Sequence, residues 1–62
     1  MSKKNKELPV GTLIRLRGDN SIGVITGIMT GSGKYAVYTI NWLVDHSDNQ
    51  NWQQAVFFEV IG

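Results

Sequence analysis

The stretch from Ile22 to Thr39 limits what this chain can fold into more than any other. It reads Ile-Gly-Val-Ile-Thr-Gly-Ile-Met, then Thr-Gly-Ser-Gly-Lys, then Tyr-Ala-Val-Tyr-Thr. Two runs rich in β-branched and aromatic residues flank a short segment holding Gly31 and Gly33. Such runs favour a pleated surface, and glycine takes positive φ at little steric cost, so the pattern predicts a β-hairpin. The other strands are expected to be laid against this pair.

Flanking segments supply them. Thr12 to Arg17 alternates as a first strand, with Ile14 and Leu16 on one face and Leu13, Arg15 and Arg17 on the other. Gly18-Asp19-Asn20-Ser21 is a turn cluster. Ile22 to Met29 forms the second strand, and its Gly23 and Gly27 mark bulges, bends or close backbone approach. Tyr35 to Trp42 forms the third, followed by a polar loop between Leu43 and Asn51. Trp52-Gln53-Gln54 makes a short fourth strand, Ala55-Val56-Phe57 one helical turn, and Phe58 to Ile61 a last strand that pairs with the first. The fold class is therefore all-β, with five strands in one domain over residues 9–62. The expected core is Ile14, Leu16, Ile25, Ile28, Val37, Phe58 and Val60.

A chain of 62 residues buries only about 60% of the surface its unfolded form exposes. With no cysteine and a single histidine, neither disulfides nor a zinc site of its own can staple it. Apolar packing or a partner must supply the stability. Residues 1–8 read as a flexible, basic arm carrying Lys3, Lys4 and Lys6, either simply solvated or ordering on an acidic partner. The remainder sets Arg15, Arg17 and Lys34 against Asp19, Asp45, Asp48 and Glu59, close to neutrality. Apolar runs fall far short of the roughly 20 residues that cross a bilayer, and no apolar segment follows the basic start as in a secretory signal. The expected location is cytoplasmic.

Catalytic and metal signals are weak. Asp45, His46 and Asp48 lack the spacing of a calcium loop, and His46 beside Ser47 has no third orienting group for nucleophilic chemistry. Arg17-Gly18-Asp19 spells an adhesion tripeptide, but without the disulfides of a secreted scaffold it reads as a plain turn. No enzyme activity, metal or cofactor is expected.

Val10-Gly11-Thr12-Leu13-Ile14-Arg15, the glycine-containing turn, Ile22-Gly23-Val24-Ile25, the long hairpin into Tyr35-Ala36-Val37 and the ending Phe58-Glu59-Val60-Ile61 together resemble the KOW/Tudor type of SH3-like barrel. In overall style the chain is similar to small SH3-like proteins of tailed cyanobacterial viruses. Photosystem I subunit IV has a loosely similar order of strands. The resemblance implies a small five-stranded SH3-like barrel. It also implies a non-enzymatic protein-interaction or assembly module, a virion component or host-directed accessory protein if viral, located in the virion or the host cytoplasm. The KOW likeness implies an alternative, nucleic-acid binding, with Lys3, Lys4, Lys6, Arg15, Arg17 and Lys34 as the phosphate-facing cations. A third possibility is a subunit of a larger complex.

The third strand is apolar on both faces. If Tyr35, Val37 and Thr39 face inward, then Ala36, Tyr38, Ile40 and Trp42 line the outside, and Trp52 extends the row. On that expectation Tyr38, Ile40, Trp42 and Trp52 bind another protein or a second copy. A bulge near Thr39 would instead turn Ile40 and Trp42 into the core.

Overall fold

The computed structural model describes residues 7–62. Lys3, Lys4, Lys6 and most of the expected arm lie outside the described residues. Five strands, β1 (Leu13–Leu16), β2 (Ile22–Thr30), β3 (Val37–Val44), β4 (Trp52–Gln54) and β5 (Phe58–Val60), form one antiparallel sheet in the order β4-β3-β2-β1-β5. Single 3₁₀ turns at Gly33–Tyr35 and Ala55–Phe57 complete the described regular structure. β1 pairs with β5, as the sequence predicts, while no hydrogen-bonded pairing joins β4 to β5.

The β2–β3 hairpin is bulged in three places. Thr26 and Met29 are extra residues on β2, and Leu43 is extra on β3. Each bulge leaves one residue unpaired and strengthens the local twist, so the long hairpin curls. At its tip Gly31 has φ +83, and a Cβ there would stand 3.1 Å from the Tyr35 carbonyl. The chain closes through the first 3₁₀ turn, so Tyr35 lies in that turn and not at the start of the third strand.

Residues paired across an antiparallel ladder share a face. Ile14, Gly23 and Trp42 therefore lie on one side, with Leu16 and Phe58, Ile25 and Ile40, and Ile28 and Tyr38. The buried apolar set is Ile14, Leu16, Ile25, Ala36, Tyr38, Ile40 and Phe58, with Leu8, Trp42 and Ala55 packed against it. The expected facing of the third strand is thus reversed: Tyr38 and Ile40 are each 2% exposed, whereas Val37 and Thr39 look outward. Burying Tyr38 and Ile40 removes more apolar surface from water than burying Val37 and Thr39 would, and the Thr39 hydroxyl finds Thr26 Oγ1 at 2.9 Å on the outer face.

Two further expectations change for a different reason. Ile28 and Val60 occupy the core side by register, opposite Tyr38 and Ile14, but both are exposed because they lie at its uncovered margin. Leu8, expected in the arm, belongs to the packed unit, and its N–H donates to the Tyr38 hydroxyl at 3.0 Å.

Tyr38 and Phe58 stand three strands apart in the sheet. Laid flat, that separation would be about 14 Å. Their ring centroids are 6.0 Å apart at 68°, an edge-to-face contact. The sheet therefore curls until β3 and β5 meet through side chains.

Gly23 permits that curl. A Cβ there would fall 2.6 Å from Ile40 Cγ2, 2.9 Å from Trp42 Cε3 and 3.2 Å from the Asn41 carbonyl. Gly23→Ala is expected to destabilise the fold by about 1–3 kcal/mol, measured by urea unfolding. An unchanged midpoint would contradict this packing.

Candidate interaction surface

Of the four residues expected to form an outward aromatic row, the structure exposes Trp52 and buries Tyr38 and Ile40. Trp42 is half-buried: its ring covers Gly23, and its indole N–H donates to the Gln50 carbonyl at 2.6 Å. Trp42 thus ties the β3–β4 loop to the core, and only its partial exposure is available to a partner. The row that the expected facing placed outside does not exist as a surface.

Other aromatics take its place. Tyr35 is 61% exposed, Phe57 51% and Trp52 42%. Trp52 and Phe57 lie on the segment that runs through β4 and the second 3₁₀ turn, and Tyr35 lies in the first 3₁₀ turn. Trp52 opens β4 opposite Thr39. Gln54 closes β4 and donates from Nε2 to the Tyr35 carbonyl at 3.3 Å, while Ala55 N–H donates to the Ala36 carbonyl, so the two 3₁₀ turns pack together. Phe57 ends the second turn, and its carbonyl accepts the Arg17 N–H at 2.9 Å. Phe57 carried no sequence signal beyond its place in a short turn before the last strand.

The outer face of the sheet adds aliphatic surface. Ile22 lies between Arg15 and Val44 across the strands, and Val24 lies between Leu13 and Asn41. Val44 is exposed, and Leu13, Ile22 and Val24 are half-exposed.

Of the cations proposed for nucleic acid, the described ones, Arg15, Arg17 and Lys34, are dispersed and partly neutralised. Arg15 donates from Nε to Glu59 Oε2 at 2.7 Å and from Nη2 to the same oxygen, while Arg17 Nη1 stands 3.5 Å from Glu59 Oε1. These exposed pairs are worth about 0.2–1 kcal/mol each. Lys34 lies at the hairpin tip, its Nζ 5.4 Å from the Tyr35 ring centroid, a cation–π contact.

A polar clamp fixes the other end of the sheet. Asn49 Nδ2 donates to Asp19 Oδ2 at 3.1 Å, to Ser21 Oγ at 3.2 Å and to Asp45 Oδ1 at 2.9 Å. Ser21, fully buried, accepts the His46 N–H on Oγ at 2.9 Å and gives its own N–H to Asp19 Oδ1. The β1–β2 turn and the β3–β4 loop are locked together, which sets where β4 begins. Hydrogen bonds from the Ser21 backbone, then from the Ser47 and Asn49 side chains, hold the Asp19 carboxyl well below its ordinary value of 3.8. The Asn49 backbone N–H does the same for Asp45, opposed by partial desolvation and by the Asp19 charge. His46 serves this clamp through its backbone N–H, and Ser47 through both its side chain and its N–H, which donates to Asp45 Oδ1 at 3.3 Å. Among the described residues no three His, Asp or Glu side chains converge as metal ligands do, and no helix is long and apolar enough to cross a membrane.

Both carboxyls are depressed in the folded state, so their contribution is complete above the unfolded value near 3.8 and is lost as pH falls from there through the folded values. Thermal midpoints should be flat above about pH 5 and fall below about pH 4. Asp19→Asn should shrink that acid loss; a variant with the same acid profile as the parent would contradict the clamp.

Comparison of the chain with known protein families, with curated proteins and with solved structures finds no match.

Proposed function

We propose that this chain is a non-enzymatic protein-interaction module built as a small SH3-like barrel, and that Trp52, Tyr35 and Phe57 are its principal contact residues. The observation carrying this proposal is the exposure of three aromatic rings on β4 and the two 3₁₀ turns, within a set of eleven exposed large apolar residues among the described residues 7–62. Surface aromatics supply large rigid contact area at low entropic cost, and tryptophan and tyrosine are enriched among residues whose truncation weakens protein association. The strand order, the bulged hairpin and the 3₁₀ turn before the last strand support the barrel assignment. If the chain is viral, as its likeness to small proteins of tailed cyanobacterial viruses suggests, the module is a virion component or a host-directed adaptor.

The alternative, a nucleic-acid-binding KOW-like barrel, draws on the Lys34 ammonium set over the exposed Tyr35 ring. Phosphate neutralisation dominates such affinity. Glu59 engages both Arg15 and Arg17, which works against this alternative.

Titration of a fluorescent single-stranded oligonucleotide at low and moderate salt separates the two. The protein-interaction proposal predicts no saturation at about 100 μM protein even in low salt. Saturation near about 1 μM that weakens steeply with salt, and is reduced by Lys34→Ala, would overturn it in favour of nucleic acid.

A further inference from the structure

β4 ends the sheet, and its ladder to β3 fixes where its outer groups point. The Ile40 N–H donates to the Asn51 carbonyl at 2.9 Å, and the Ala55 N–H to the Ala36 carbonyl at 2.8 Å. Hydrogen-bonded and non-hydrogen-bonded pairs alternate along an antiparallel ladder. Gln53, opposite Tyr38, therefore turns its N–H and C=O toward β3. Trp52 and Gln54 turn theirs away from the sheet. The Gln54 N–H is met by the side-chain oxygen of its neighbour Gln53, at 3.2 Å.

We infer that this edge pairs antiparallel with β4 of a second copy of the chain. The outward groups define one two-fold register. Trp52 of each copy opposes Gln54 of the other as a hydrogen-bonded pair, exchanging four main-chain bonds in all, and the two Gln53 residues meet on the axis. An amide both donates and accepts, so glutamine opposite glutamine is self-complementary. Pairing releases the Gln53 oxygen from the Gln54 N–H, which the Trp52 carbonyl of the other copy then takes. The half-exposed Trp52 ring lies over the Gln54 stem of the other copy on the outer face.

The chemistry of the two sheet ends selects β4 and selects a second copy. Pairing β5 with itself would set Glu59 opposite Glu59, and like charges directly opposed destabilise a ladder. Asn49 to Gln54 carries no charge, no proline and no glycine, so apart from the three-residue length of β4 its sequence has none of the usual devices that keep an edge strand single. This inference rests on the interaction-module proposal and names its partner; self-association is read independently of oligonucleotide binding, so the two can fail separately.

Analytical ultracentrifugation up to about 1 mM tests it, a range in which a weak symmetric contact is populated. The wild-type chain should show a monomer–dimer equilibrium. Gln54 has φ −76 and an N–H facing away from β3, so Gln54→Pro keeps the fold, checked by its circular dichroism melt, while removing a donor from both pairs. Its dimer dissociation constant should rise about tenfold or more. Gln53→Lys and Gln53→Glu each place like charges on the axis and should be monomeric alone, yet associate when mixed in equal amounts. A monomeric wild-type chain at about 1 mM would overturn the inference. So would an equally dimeric Gln54→Pro, or a mixture of the Gln53 variants no more associated than either alone.

Discussion

The contact between Tyr38 and Phe58 is the constraint on which the rest of this fold depends. A three-residue β5 and a four-residue β1 cannot bury a core by themselves. Curling the sheet until rings from β3 and β5 touch closes apolar side chains over Ile14, Leu16 and Ile25 from both ends of the strand order. In related cores, truncating such a ring to alanine costs about 3–5 kcal/mol, a large share of the 5–15 kcal/mol that holds a typical domain together. With no disulfide to fall back on, the chain relies on this closure. The bulges at Thr26, Met29 and Leu43 supply the twist that makes the contact possible, and the bare backbone at Gly23 makes room for Ile40 and Trp42 above it.

Placing Tyr38 and Ile40 inside has a direct consequence for the surface. The aromatic side chains of β3 are spent on the core, and the rings left to meet a partner come from short irregular segments: Tyr35 from the first 3₁₀ turn, Trp52 from β4 and Phe57 from the second turn. Segments this short hold their rings in place only because neighbouring contacts fix them. Gln54 bonds Tyr35, Arg17 bonds Phe57, and the Asp19–Asn49–Asp45 clamp together with the Trp42–Gln50 bond sets the start of β4. Core packing and surface presentation are therefore one problem in so small a chain.

Much of the fold was legible in the sequence. Alternation around Arg15 and Arg17 placed Ile14 and Leu16 inside, the glycines of β2 marked an irregular strand, and Phe58 to Val60 paired with β1 as its pattern implied. The facing of β3 was not legible, because a strand apolar on both sides carries no alternation to read. What decided it was tertiary: the fit of Tyr38 against Phe58 and the hydroxyl pairing of Thr39 with Thr26. Ile28 and Val60 obeyed the right alternation and still emerged exposed, since periodicity reports a face and not how far the cover extends. The clamp was hidden for another reason. Asn49 joins groups 28 and 30 residues away, and nothing local in Asp-His-Ser-Asp-Asn marks it out from a turn.

The facing of β3 is the central claim, and nuclear Overhauser contacts in the free protein test it most directly. Cross-peaks from the Tyr38 ring to the Phe58 ring and to the Leu8 amide proton, with Ile40 methyls reaching Ile25, are the predicted result. Cross-peaks from Val37 and Thr39 to Ile14 and Phe58, with the Tyr38 ring free of both, would contradict the structure and return the aromatic row of β3 to the surface.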